Sequence, residues 1–103
     1  MIIATTDTIE GKNLETLGLV RGSVVYSKHV GKDIVAAFKM LLGGEVFSYT
    51  EMLNEARAIA TRRMVEDAER LGADAIVGMR YASSSVMQGA AEIVAYGTAV
   101  RFV

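Results

Sequence analysis

The feature that most constrains this chain is a long helical signal set between runs that read as strands. It opens with "SYTE", a capping box in which Ser48 can accept from the backbone while Glu51 reaches back. Leu53, Ala56, Ala60, Met64, Ala68 and Leu71 then recur on one face, and Gly72 supplies a stop. The opposite face carries Arg62, Arg63, Glu66, Asp67 and Arg70, which pair Arg63 with Asp67 and Glu66 with Arg70 at i,i+4 as a solvated, alternating-sign surface. A helix with one apolar face must bury it against something, and the flanking segments supply the sheet.

Before the helix, "MIIATT" reads as a short strand. "NLETLGLVRGSVVYS" reads as a longer one, broken by Gly18 and Gly22, which mark a bulge or a close backbone approach. "KHVGKDIVAAFKMLLGG" changes period: Val30, Ile34, Ala37, Phe38 and Leu41 predict a further helix ending at Gly43-Gly44. After the long helix, "ADAIVGMRYA" and "EIVAYGTAVRFV" read as strands joined through "SSSVMQGAA". The order strand, strand, helix, helix, strand, strand predicts an α+β fold with a mainly antiparallel sheet. No linker or repeat divides residues 1–103, so they form a single domain.

If Gly78 faces Gly97 across the last hairpin, alternation sorts the side chains into two faces. Val77, Met79, Tyr81, Val94, Tyr96, Val100 and Phe102 make a bulky face fit to hold the long helix. Ile76, Gly78, Arg80, Ala82, Ile93, Ala95, Gly97, Ala99 and Arg101 make a flatter one. That flat face suits the close approach of a second subunit or a planar ligand; the alternative is a helix of the same subunit.

Composition points toward assembly. Of the residues, 51% are hydrophobic, too many for a subunit of 103 residues to bury alone, so a homo-oligomer is expected. Net charge is -1 with no basic cluster, which argues against nucleic acid as a partner. The absence of cysteine excludes disulfides, thiolate metal sites and cysteine nucleophiles. "MIIATTDTI" has neither a basic n-region nor the length of a membrane span, so a cytoplasmic protein without a membrane partner is expected.

Two sets of candidate residues emerge. Tyr49, Arg57, Arg80 and Tyr96 combine aromatic area with directed donors, the usual content of a small-ligand cleft. The alternative places Arg57 and Arg80 in interface ion pairs and Tyr96 in the core. His29 and Asp33 stand at i,i+4 and can supply two metal ligands, with Asp7 or Glu10 of a neighbour adding others. Their alternative is a solvated His29 at a helix start with Asp33 at the positive end of the helix dipole. His29 and the distant "SSS" lack the base–orienter arrangement that activates a serine, so no enzyme and no resident cofactor is expected.

"EARAIATRRMVEDAERLGADAIVGMRY" and "EIVAYGTAVRF" resemble the YbjQ-like family of small uncharacterised proteins, which carries a heavy-metal-binding label. "TTDTIEGKNL", "LGLVRGSVVYS" and "LLGGEVFSYTEML" are similar to it as well, so the resemblance spans the chain. Asp33 matches the family's acid, whereas Ser27 and His29 stand where Gly and Asn are usual. The resemblance implies a dodecin-like α+β subunit, its sheet curled around two helices, in a closed ring of five. It implies no established activity. The function expected is therefore a non-enzymatic binding or scaffolding ring with a small-molecule site between subunits, or alternatively a metal-binding protein.

Overall fold

The computed structural model describes residues 1–27, 49–88 and 90–103. Among the described residues five elements follow in chain order: β1 (Ile2–Ile3), β2 (Leu14–Ser27), α1 (Tyr49–Arg70), β3 (Ala75–Met87) and β4 (Ala90–Phe102). The strands form one mixed sheet in the order β1-β3-β4-β2. Both β2 and β3 run antiparallel to β4, and β1 joins β3 in parallel. The expected α+β class is observed. The first expected helix, with His29 and Asp33, lies outside the described residues, as does the cap residue Ser48; α1 nonetheless starts one residue after Ser48.

Helix α1 lies on the sheet through Ala56, Ala60, Met64 and Ala68, all fully buried. Three of the four are alanines, so the helix axis comes close to the strands. Gly22 of β2 permits that approach: a Cβ there would stand 2.2 Å from the Ala60 carbonyl oxygen and 2.3 Å from the Met64 nitrogen. The helix ends in a Schellman turn. Gly72 takes φ +74°, the Ala73 N–H donates to the Ala68 carbonyl (3.2 Å) and the Gly72 N–H to that of Glu69 (3.0 Å). Leu71 falls beyond the last helical turn and is exposed, not part of the apolar face as its spacing suggested.

The charged face of α1 also departs from expectation. Asp67 pairs with Arg70 at i,i+3 instead of with Arg63. Its other oxygen accepts from the Arg21 N–H (3.2 Å), and Arg63 Nη1 donates to the Ser23 carbonyl (2.6 Å). Arg21 and Ser23 lie on β2, an edge strand, so these two side chains satisfy backbone groups that an edge leaves bare. At the other edge, "MIIATT" pairs within its own chain. Ile2 and Ile3 lie beside Ala75 and Ile76, and the Gly78 N–H donates to the Thr6 carbonyl (2.8 Å).

The closing hairpin corrects the sequence reading twice. First, the serine run belongs to the ladder: Ser83, Ser84 and Ser85 pair with Ile93, Glu92 and Ala91. Serine is common in turns, but cross-strand pairing overrides that weak preference here. Second, the two faces are exchanged along β4 and at Ile76 and Val77, whereas Met79 and Tyr81 lie on the helix side as expected. Register jumps between Val77↔Thr98 and Arg80↔Tyr96, so Gly78 and Met79 together oppose Gly97. Gly78, at φ +60°, is the left-handed residue of a bulge. Beyond it the parity of β3 is reversed, and Met79 joins Ile76 beneath α1.

The main core thus holds α1 against Val20 and Val24 of β2, Ile76 and Met79 of β3, and Ile93, Ala95 and Ala99, the flatter side of β4. Gly97 serves packing inside the subunit, since a Cβ there would meet Ile76 Cγ2 at 2.7 Å and the Val77 carbonyl at 3.1 Å. The bulkier side of β4 faces away from the helix. There Val77 and Val100 pack with Ile9, Leu14 and Phe102 in a smaller cluster under the N-terminal segment. Lys12 sits 5.0 Å over the Phe102 ring.

Candidate functional site

The sheet separates the four residues expected to share one ligand cleft. Arg80 and Tyr96 are cross-strand neighbours on the face away from α1, and Arg21 lies on the other side of Tyr96 in the same row. Tyr96 is 38% exposed. Arg80 is tethered, its Nη1 donating to the Thr5 carbonyl (2.9 Å) and the Met79 carbonyl (2.8 Å). Neither Arg21 nor Arg80 has a carboxylate partner among the described residues. Two guanidinium groups flanking one phenol offer directed donors and an aromatic surface. Arg21 escaped the sequence reading because alternation within β2 does not show which residue of β4 lies opposite it.

Arg57 stands on the other face. It lines a cleft of about 520 Å³ between α1 and the far half of the hairpin, with Leu53, Tyr81, Ser83, Ala91 and Ile93 among its walls. Leu53, Arg57 and Thr61 recur at every fourth position, so one stripe of α1 looks onto this cleft. Arg57 Nη1 donates to Asn54 Oδ1 (2.8 Å), and Thr61 Oγ1 donates to the Arg57 carbonyl (2.7 Å). Thr61 has a single hydroxyl proton, so in its 2.8 Å contact with Tyr81 the tyrosine O–H is the donor. Tyr49 begins α1, eight residues and about 12 Å of helix before Arg57. The sequence reading puts Tyr81 on the helix side, where it is found; Thr61 escaped it because a hydroxyl on a helix gives no sign of the strand it faces, and Ser83 because its run reads as a connection.

Among the described residues, no group of three His, Asp or Glu side chains gathers where an ion could be held. Asp7 lines a second crevice with Lys12, Thr16 and Thr98, on the same side of the sheet as Val77 and Val100. No helix of the described residues is long and apolar enough to cross a membrane.

The family whose sequence model matches residues 1–103 is described as "Putative heavy-metal-binding". The chain belongs to the YbjQ-like family. A UPF0145 protein of Alkaliphilus metalliredigens is 62% identical over 103 residues, covering 100% of both chains. Another, from Fervidobacterium nodosum, is 64% identical over 102 residues, covering 98% of this chain and 94% of that one. A crystal structure from Pediococcus pentosaceus, titled a protein with unknown function of the DUF74 family, superposes with a TM-score of 0.63. It is 18% identical and the match covers 100% of this chain and 98% of that one, a likeness of fold. For this YbjQ-like chain the family carries a label and no reaction.

Proposed function

We propose that this YbjQ-like chain is the dodecin-like subunit of a cytoplasmic homopentameric ring. The ring acts as a non-enzymatic binding or scaffolding module, with a small ligand held between subunits against Arg80 and Tyr96. The observation that carries this reading is the apolar surface left on the sheet away from α1. Leu19 there is 71% exposed, and Val25 and Tyr96 are exposed with it. At the hairpin tip Val86 and Met87 are exposed, Met87 by 67%. A sheet face on one copy and a hairpin tip on the next make a heterologous contact, which forms a ring when the rotation between copies closes. The number five rests on the family resemblance. The blocked middle of the β2 edge favours face contact over open-ended strand addition.

Multi-angle light scattering tests the assembly. The wild-type chain is expected to run as a multiple of 11.1 kDa at micromolar concentration. Leu19→Glu is expected to reduce the particle size while the far-ultraviolet circular dichroism stays unchanged. A wild-type monomer, or a Leu19→Glu particle of unaltered mass, removes this reading.

The family's description favours a second reading, metal binding through His29, Asp33 and the N-terminal acids Asp7 and Glu10. One imidazole and no thiolate make a poor set for a soft ion. Zinc titrated into tag-free protein is therefore expected to bind no tighter than roughly tens of micromolar, given the shortfall from four ligands. A tight, stoichiometric isotherm abolished by His29→Ala establishes the metal reading in its place.

A further inference from the structure

We infer that the cleft between α1 and the serine-bearing half of the hairpin binds a small organic anion, its carboxylate or phosphate held by Arg57 and Ser83. The site lies within one subunit, across the sheet from Arg80 and Tyr96, and does not depend on ring formation. Its charge comes from Arg57. One guanidinium N–H group is spent on the neutral oxygen of Asn54, and no carboxylate neutralises the cation among the described residues. The remaining donors of a guanidinium present a planar fork that matches two oxygens of one acid group.

The neighbouring hydroxyls are not equivalent, and their proton count orients the ligand. Thr61 gives its proton to the Arg57 carbonyl, and Tyr81 gives its own to Thr61. Tyr81 therefore offers the cleft lone pairs and a ring, but no proton for an anion. Ser85 directs its hydroxyl at the Met87 carbonyl (3.3 Å). Ser83 shares the helix-facing side of β3 with Tyr81 and has no hydrogen-bond partner among the described residues, so its O–H is the free donor. Apolar surface comes from Leu53, Ala91 and Ile93. A charged end with a compact apolar body meets all of these groups, and the cleft volume of about 520 Å³ falls in the usual range for small ligands. The Thr61 bridge also ties α1 to β3, fixing Arg57 relative to Ser83.

Heteronuclear NMR titrations of the full-length chain with benzoate, phenyl phosphate, benzamide and inorganic phosphate test the assignment. Benzoate or phenyl phosphate is expected to give saturable shifts at Arg57, Ser83 and Ile93. Which of the two binds more tightly identifies the acid group. Benzamide, isosteric but neutral, is expected to bind about tenfold more weakly, the loss for replacing one charge-assisted interaction. Inorganic phosphate is expected to bind more weakly than phenyl phosphate, for want of an apolar body. Arg57→Gln is expected to reduce benzoate to the level of benzamide, and Ser83→Ala to weaken it less. Should Arg57→Gln lose its fold, Arg57→Lys (charge without the fork) and Ser83→Val supply the comparison. No saturation up to the solubility of each probe, equal binding of benzoate and benzamide, or binding indifferent to Arg57 overturns the proposal. Light scattering on the same samples keeps the two readings apart: a monomer that still binds benzoate through Arg57 leaves the cleft assigned and removes the ring.

Discussion

Gly22→Ala is expected to destabilise the subunit by about 3 kcal/mol, the upper part of the range for forcing a methyl group into a filled core. The reason is what the methyl would meet. Its carbon would stand 2.2 Å from the Ala60 carbonyl oxygen, 2.3 Å from the Met64 nitrogen and 2.7 Å from Arg63 Cβ. The first two are helix backbone, which no rotamer change can move aside. Relief requires α1 to lift from β2 by about 1 Å, the distance back to ordinary van der Waals contact. That shift loosens Val20, Val24 and Met64 together. It also draws Asp67 and Arg63 away from the Arg21 N–H and the Ser23 carbonyl. The φ of Gly22 is not positive, so backbone strain has no share in the effect. Urea denaturation of wild type and variant measures it. A difference below about 0.5 kcal/mol, the scatter of surface substitutions, would mean that the helix does not sit this close.

Much of the fold was legible because local signals agreed with the final packing. The strongest was α1, whose apolar spacing and Gly72 stop both hold, the latter as a full Schellman turn. Both glycines read as interruptions of β2 have that role, one each. Gly18 sits at the register jump of β2 against β4, and Gly22 gives the close approach. Period and punctuation are properties of neighbouring residues, so a sequence displays them.

The faces of the hairpin were not legible, for a physical reason. Side chains alternate strictly in a strand, so one extra residue exchanges everything that follows it. Gly78 is that residue, and a bulge glycine looks like any other glycine until its partner strand is known. The size argument failed separately. A bulky face was expected to hold the helix, yet the alanines of α1 pack on Ala95, Ala99 and Gly22, small surface against small surface. The alanine spacing in α1 was the available signal. The candidate residues then split accordingly: Arg80 and Tyr96, which strict alternation puts on opposite faces, share a row only through the bulge, whereas Arg57 lies on the helix and joins Tyr81 at one cleft. The pairing of Arg63 and Asp67 with the β2 edge was equally hidden, since i,i+4 spacing gives no sign of a strand lying alongside.

The close seat of α1 has one further consequence, at the only large side chain in its buried row. Met64 stands among Ala56, Ala60 and Ala68, is fully buried, and has the largest volume of the fully buried side chains among the described residues. Its thioether fills the space that the alanines leave between helix and sheet, against the cluster containing Val20 and Ile76. Met64→Ala is expected to cost about 3–5 kcal/mol, the upper part of the range for such truncations. The upper part applies because collapse is blocked: with Gly22 already against the helix backbone, α1 cannot settle further to close the cavity. Met64→Leu keeps the volume and is expected to cost less than about 1.5 kcal/mol. Leu71→Ala serves as the control, since Leu71 is 47% exposed beyond the helix end, and is expected to change stability by about 0.5 kcal/mol or less. Urea denaturation midpoints with unchanged slopes give all three values. A Met64→Ala cost near 1 kcal/mol would show that the helix can settle after all, and with it that Gly22 is not the point that sets its height above the sheet.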